Sequence, residues 1–136
     1  MFKISQNKPV MKLTVIVFAF VGCIVLFGCG KKGDATPTPH TIKVTVAGTA
    51  SYSVSLSAIK AEETVSTALD TKTIASGTYE FTTTLTAGSV VHLEVQNSNG
   101  ENTVAYAITD NDATGTTDSG RELGSFSKIV AEYTVR

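Results

Sequence analysis

Residues 51–58 read S-Y-S-V-S-L-S-A, and this stretch decides the class of fold. Tyr52, Val54, Leu56 and Ala58 alternate with four serines, which is the period of two expected for a β-strand with one buried face. A pairing register shifted by one residue would bury the row of serine hydroxyls, so the register of this strand is well specified.

The same period of two recurs from Thr41 onward. The predicted inward positions are Ile42, Val44 and Val46; Tyr79, Phe81, Thr83 and Leu85; Val91, Leu93 and Val95; Val104, Tyr106 and Ile108; and Ala131, Tyr133 and Val135. Short strands at spacings of about 8 to 14 residues are typical of all-β folds. The sequence therefore predicts an immunoglobulin-like antiparallel β-sandwich of about seven strands over residues 41–136, with these aromatic residues in its core.

Three segments between these strands need separate predictions. Residues 61–76 begin like a helix, but their β-branched residues favour two short strands at 63–69 and 72–76, with Asp70 and Thr71 at the turn; a helix stays open as the alternative. Asn99 and Gly100 predict a two-residue hairpin turn. Residues 110–120, D-N-D-A-T-G-T-T-D-S-G, predict a turn-rich loop.

The N-terminal segment has the composition of an export signal. In residues 13–28 only Thr14 is polar, and Lys3, Lys8 and Lys12 precede this run. A bilayer-spanning helix needs roughly 20 apolar residues, so the run is short for a stable span and suits a signal-peptide core. Residues 1–28 are therefore predicted to be a lipoprotein signal peptide.

The residues that follow resemble the bacterial lipobox, in which a cysteine is acylated and the leader is cut before it. The sequence L-F-G-C places that cysteine at Cys29, although Phe27 is bulkier than the usual residue at its position. Cys23, in F-V-G-C, is a rival site that would leave an apolar tail on the mature chain. An uncleaved anchor helix is the other alternative, and translation from Met11 would leave the mature chain unchanged.

Lipidation of Cys29 implies a location and a tether. The diacylglyceryl thioether and an amide-linked chain such as palmitate hold a protein on a membrane without protein contacts. The expected location is the cell envelope, in the outer membrane of a diderm or the plasma membrane of a monoderm. Residues 29–40 form the flexible tether, biased towards extended conformations by Pro37 and Pro39. The mature domain then has no free cysteine for a disulfide or a thiolate metal site.

Three stretches resemble the MmpS-like accessory proteins of mycobacterial lipid exporters: V-T-V-A-G-T-A at 44–50, L-T-A-G-S-V-V-H-L-E-V-Q-N at 85–97, and N-G-E-N-T-V-A-Y-A-I-T-D-N at 99–111. The resemblance implies a small extracytoplasmic β-sandwich on a membrane tether, acting as a transport accessory. This chain differs from the family in lacking a cysteine pair in its last strands and in carrying a lipobox instead of an uncleaved helix. A resemblance in strand and turn motifs supports a shared fold better than it supports a shared function.

The charged and titratable residues argue against nucleic-acid binding and catalysis. The chain has 11 Lys and Arg against 12 Asp and Glu, and three of the lysines lie in the leader, so the mature domain is weakly acidic and a poor match for nucleic acid. His40 is expected in the tether, and His92 is expected to be a solvated strand residue beside Glu94. No nucleophile or metalloprotease motif accompanies them, so an enzyme is not expected.

The remaining site candidates are one acidic segment and one aromatic residue. Asp110, Asp112, Thr114 and Asp118 follow part of the spacing of a calcium loop, but Arg121 occupies the position of the bidentate carboxylate, so calcium is a weak candidate and no cofactor is expected. Phe126, between two serines, is the aromatic that falls outside the strand pattern. We expect a non-enzymatic binding or transport-accessory module with an envelope protein partner, or alternatively a structural or adhesive component that assembles through edge strands.

Overall fold

The computed structural model describes residues 36–136, which form eight β-strands. The strands are β1 (Pro39–Gly48), β2 (Tyr52–Ile59), β3 (Thr67–Ile74), β4 (Gly77–Thr86), β5 (Val90–Asn97), β6 (Asn102–Asp110), β7 (Ala113–Leu123) and β8 (Lys128–Thr134). The predicted signal peptide, the acylated Cys29, the rival Cys23 and the start of the tether lie outside the described residues.

The strands form two four-stranded antiparallel sheets, so the predicted all-β sandwich is confirmed. One sheet has the order β4-β1-β6-β7 and the other has the order β3-β2-β5-β8. The likeness to immunoglobulin domains lies in this two-sheet architecture, because constant domains pair their strands in a different order. Strands β1, β6, β2 and β5 are central, and the other four lie at the sheet edges.

The core lies between the two sheets and follows the predicted alternation. Its fully buried side chains come mostly from the central strands: Ile42, Val44 and Val46 of β1, Val54, Leu56 and Ala58 of β2, Val91, Leu93 and Val95 of β5, and Val104 and Ile108 of β6. Tyr52 and Tyr79 are buried, and Phe81, Tyr106 and Tyr133 pack against the core. The prediction that these aromatic residues belong to the core is confirmed.

Tyrosine hydroxyls tie the edges of the sandwich together. The Tyr52 hydroxyl lies 3.0 Å from the Val46 carbonyl oxygen and 2.8 Å from that of Gly77. Tyr79 of β4 donates to Asp70 of β3 at 2.8 Å, which bridges the two sheets. Burial raises the pKa of Tyr79, and the hydrogen bond to the Asp70 carboxylate raises it further. Both hydroxyls are therefore neutral donors over the physiological range.

Two of the predicted turns are wrong. Asp70 and Thr71 lie inside the single strand β3, which replaces the two strands predicted at 63–69 and 72–76. Strand is confirmed over helix at residues 67–74, whereas residues 63–66 are not in a strand. Asn99 and Gly100 do not join a hairpin, because β5 and β6 belong to different sheets. Gly100 has a positive φ of 71° but Asn99 does not, so the pair does not form the two-residue turn in which both residues are left-handed.

The loop predicted over residues 110–120 is also wrong, because most of it is strand β7. The turn is confined to Asn111 and Asp112, whose φ values of 48° and 66° are those of a two-residue type I′ hairpin. Strand β7 pairs only with β6, and most of its side chains are exposed, so it carries no apolar alternation.

The connections lie at two opposite ends of the sandwich. The entry end contains Pro39 at the start of β1, the β6–β7 turn, residues 60–66, residues 87–89 and residues 135–136. The distal end contains the connections 49–51, 75–76, 98–101 and 124–127. Strand β1 of 10 residues runs from the entry end to the distal end.

Candidate functional site

The four calcium candidates do not converge on one point. Asp110 ends β6, Asp112 lies in the turn, and Thr114 and Asp118 lie on β7. Asp118 pairs with Tyr106, four residues along β6 from Asp110, which places the two aspartates about 13 Å apart along the strand. Calcium ligands lie about 2.3 to 2.6 Å from the ion, so these two carboxylates do not share one cation. Residues 36–136 hold no cluster of three His, Cys, Asp or Glu side chains suited to a metal ion.

Both histidines lie in strands, and each contacts a carboxylate. His92 is the solvated strand residue that the sequence predicts, with Nδ1 3.2 Å from Glu132 on neighbouring β8. His40 was expected in the tether, and this expectation is wrong. It is the second residue of β1, opposite Leu85 of β4, and its side chain is 14% exposed.

His40 belongs to a buried cluster centred on Asp110 at the entry end. His40 Nδ1 lies 2.6 Å from Asp110 Oδ1, and the Tyr133 hydroxyl donates to Oδ2 at 3.0 Å. The backbone N–H of Arg136 also points at Oδ2, at 3.5 Å. The cluster joins the start of β1, the end of β6 and the end of β8, so it fastens both chain ends of the described domain across the two sheets.

The electrostatics of this cluster favour an ionised Asp110. Burial alone raises the pKa of Asp110, but hydrogen bonds from His40, Tyr133 and the Arg136 backbone outweigh it and lower that pKa below its usual range. Burial raises the pKa of Tyr133, and its hydrogen bond to Asp110 raises it further. Asp110 is thus a charged, fully partnered acceptor, which suits a structural fastening.

The distal end is organised by two buried asparagines. The Asn97 Nδ2 group lies 2.7 Å from the Gly100 carbonyl oxygen and 2.8 Å from that of Gly124. Asn102 Oδ1 accepts from the Ala50 N–H at 2.9 Å, and its Nδ2 donates to Asn97 Oδ1 at 3.3 Å. Since both asparagines are buried, these bonds fix three of the four distal connections relative to one another.

The turn at residues 124–127 is held most firmly. The Ser127 N–H donates to the Gly124 carbonyl at 3.2 Å, closing the turn, and the Asn97 N–H donates to the Ser127 carbonyl at 2.9 Å. The Gly100 N–H donates to Ser125 Oγ at 2.9 Å, which joins this turn to its neighbour. The side chain of the third residue takes no part in the hydrogen bonds that fix the backbone of the turn.

That third residue is Phe126, which is both exposed and conformationally strained. Its side chain is 72% exposed, and its φ of 59° lies in the left-handed region. Only φ at the third position is positive, the pattern of a type II turn, where glycine is favoured. The turn at residues 86–89 has the same hydrogen bond and does carry glycine there, Gly88 with φ 87°. A bulky residue in this conformation is uncommon and is often found at functional positions.

An open, shallow depression of about 430 Å³ adjoins this turn. Glu101, Glu122 and Gly124 contribute to its lining, and the turn begins at Gly124. Both glutamates are exposed, and neither takes part in an ion pair within residues 36–136. The distal end thus combines one protruding aromatic side chain with two free carboxylates.

This arrangement can make contacts, and sequence reasoning found only part of it. Phe126 was singled out because it falls outside the strand pattern. Its positive φ and its support by Asn97 follow from hydrogen bonds between residues 27 positions apart, which no local pattern carries. The adjoining glutamates gave no distinctive signal, since isolated acidic residues on strands and turns are common.

The comparisons with known proteins give no relatives to draw on. No protein-family model, curated protein or solved structure matches this chain. Residues 36–136 contain no helix with the length and apolar character needed to cross a bilayer. The assignment of function therefore depends on the residues themselves.

Proposed function

We propose that this chain is a lipid-anchored extracytoplasmic lipoprotein whose β-sandwich is a non-enzymatic binding or transport-accessory module in the cell envelope. Acylated Cys29 is its membrane attachment, and an envelope protein is its partner. The membrane is the outer one in a diderm and the plasma membrane in a monoderm. The resemblance to the MmpS-like accessory proteins points to the same class of module.

The observation that carries the proposal is the separation of the two ends. A chain held at Cys29 reaches the sandwich through Pro39, at the entry end, where the Asp110 cluster fastens β1. Phe126 and the two free glutamates lie at the distal end. Attachment at one end with an exposed contact surface at the other suits a module that reaches a partner from the membrane.

Affinity purification of the full lipidated chain from detergent-solubilised envelope tests this proposal. We expect one protein to co-purify in constant ratio over repeated preparations, and intact-mass analysis to show cleavage before Cys29 with added acyl chains. Cys29→Ser should leave the membrane fraction, whereas the matched Cys23→Ser should not. Repeated purification without a protein partner, or recovery of the unprocessed chain, would contradict the proposal.

A second candidate function is assembly through edge strands, favoured by the regularity of β4. Its 10 residues pair with β1 without a bulge, and its other edge has no strand partner within the described sheets. Such an edge can pair with another strand. Size-exclusion chromatography at increasing concentration should then show oligomers that Thr84→Lys on β4 dissolves and Thr114→Lys on β7 does not. A strict monomer at all concentrations rejects this candidate.

A further inference from the structure

We propose that the distal end binds a protein surface that has an apolar pocket flanked by lysine or arginine side chains. Phe126 fills the pocket, and Glu101 and Glu122 pair with the basic residues. This inference rests on the proposed function, because it specifies the chemistry of the partner and the surface that receives it.

Phe126 makes none of the hydrogen bonds that hold the turn in place. The turn is closed and anchored by backbone groups, Asn97 and Ser125. The phenyl ring is mostly in water, and the backbone beneath it is in a conformation that glycine adopts more readily. A large aromatic side chain at this position is therefore unexplained by folding and is well suited to a contact with another molecule.

The Phe126 ring is presented on a turn that hydrogen bonds hold in place. Buried Asn97 fixes the carbonyls of Gly100 and Gly124, so the turn has little freedom to lose on binding. Aromatic anchors that are held in their bound orientation cost less entropy on association. The distal end therefore has the properties of a preformed contact site.

The unpaired carboxylates at the distal end indicate the charge of the partner surface. In the connections 49–51, 75–76, 98–101 and 124–127 the one charged residue is Glu101, and Glu122 lies beside it on the same depression. Neighbouring charges are already paired: Arg121 lies 2.9 Å from Asp118, and Lys128 lies 3.2 Å from Glu94. Two unpaired carboxylates at the same end of the sandwich as an apolar anchor are complementary to a basic rim around an apolar pocket.

The same charges disfavour two other occupants. An anionic lipid surface repels carboxylates, and the inserted ring would bring Glu101 and Glu122 against the headgroups. A second copy of this distal end carries the same negative charges, so face-to-face pairing places like charges together. A basic protein surface is the occupant that satisfies both the ring and the carboxylates.

The test uses site-specific photo-crosslinking of the full chain in its native envelope. The photo-reactive residue p-benzoylphenylalanine is placed at position 126 and, as a control, at position 65, where Val65 is 71% exposed at the entry end. We expect a protein adduct from position 126 and none from position 65. The crosslinked peptide of the partner should carry lysine or arginine within a few residues of the attachment point.

The role of the carboxylates is tested in the same cells and with a defined probe. Glu101→Gln with Glu122→Gln should lower the adduct yield, with Glu62→Gln as the matched control. The crosslinked partner peptide is then synthesised and its Kd measured; two exposed charge pairs predict about three- to tenfold weaker binding by the double variant. Phe126→Gly should abolish binding while the domain stays folded, and Glu62→Gly, which relieves a similar positive φ at the entry end, should bind normally.

The outcomes separate this inference from the proposed function. The inference is overturned if position 126 crosslinks only to lipid or to another copy of this chain. It is also overturned if a protein adduct forms in the same yield with and without the glutamine substitutions. A partner that co-purifies equally with wild type and Phe126→Gly overturns it too, yet leaves the binding module intact. If no protein co-purifies with the chain and none crosslinks to position 126, both this inference and the proposed function are overturned.

Discussion

Phe126 has a stability cost that a single substitution can remove. A left-handed conformation costs an ordinary residue roughly 1 to 2 kcal/mol, and the extra unfolded-state entropy of glycine offsets about half of this. We expect Phe126→Gly to stabilise the domain by about 0.5 to 1 kcal/mol, a rise in Tm of a few degrees for a domain of this size. Thermal unfolding by circular dichroism measures the change.

The turn at residues 86–89 provides the control for that prediction. Gly88 has φ 87° in the equivalent position, so Gly88→Ala introduces the strain that Phe126→Gly removes. Its Tm should fall by a similar amount. A lower Tm for Phe126→Gly would show that the ring stabilises the fold, which would remove the reason for assigning it a contact role.

The lowered pKa of Asp110 makes the stability of the folded domain depend on pH. Its pKa in the folded domain is lowered, so the unfolded chain takes up a proton at higher pH than the folded one. The stabilisation is complete above the unfolded value near 3.8 and is lost as the pH falls through the folded value. Asp110→Asn should destabilise the domain at neutral pH by about 1 to 3 kcal/mol, because buried donors lose their charged acceptor.

Urea unfolding at pH 7 and at about pH 2 checks this prediction. The loss caused by Asp110→Asn should be large at neutral pH and should shrink below the unfolded value near 3.8, as the pH falls through the lowered pKa of the folded wild-type carboxylate. Asp118→Asn, which breaks a pair with the exposed guanidinium of Arg121, should change stability by less than about 1 kcal/mol. An equal loss at both pH values would contradict the assignment of charge to Asp110.

At the scale of elements, β7 of one sheet approaches β8 of the other closely where a glycine faces an aromatic ring. A Cβ placed on Gly115 would lie 2.5 Å from the Tyr133 ring of β8. Gly115→Ala should therefore displace either β7 or Tyr133, at a cost of about 1 to 3 kcal/mol from overpacking. Chemical denaturation measures it.

Gly124→Ala is the matched control for that element. An added Cβ there would lie 3.8 Å from Ser127 Oγ, an ordinary contact, so its effect on stability should be small. A tolerated Gly115→Ala would show that β7 moves freely away from Tyr133. Strand β7 would then be less firmly attached to its sheet than its hydrogen-bonded register with β6 indicates.

The elements also show how far sequence reasoning reaches. Strands with one face in the core were predictable, because residues such as Val54 and Leu56 alternate with serine in a way that only one register satisfies. Strand β7 was missed because its exposed Thr, Ser and Gly residues bury almost nothing and leave no period to detect. The dipeptide Asn99 and Gly100 marked the break between two strands but not which strands would pair, since pairing is decided by contacts distant in sequence.

The sequence likewise predicted only part of the candidate site. Phe126 departs from the strand pattern, which is visible from its position between two serines. The buried Asn97, which positions the Phe126 turn, looks in the sequence like an ordinary strand end. His40 looked like part of the tether because its partner Asp110 is 70 residues away. Groups that are placed by long-range hydrogen bonds escape local analysis.

At the scale of the whole molecule, the anchor and the fold are expected to be independent. Cys29 lies ten residues before β1, and residues 36–136 contain no cysteine. Cys29→Ser should therefore release the protein from the membrane fraction, while its Tm stays within about a degree of that of the lipidated wild-type protein in the same detergent. Fractionation followed by thermal unfolding measures both. A large fall in Tm would mean that acylation stabilises the fold itself.

The central position of β1 determines how the domain would respond to tension. Pulling on residue 39 while a partner holds the opposite end directs force along the strands, so the ten register positions with β4 and the seven with β6 resist sliding together. Peeling an outer strand would break its bonds one after another, but a strand enclosed on both sides must shear all of them at once. A domain attached at residue 39 and held at its distal end would therefore resist a pull along its strands by shear and not by peeling.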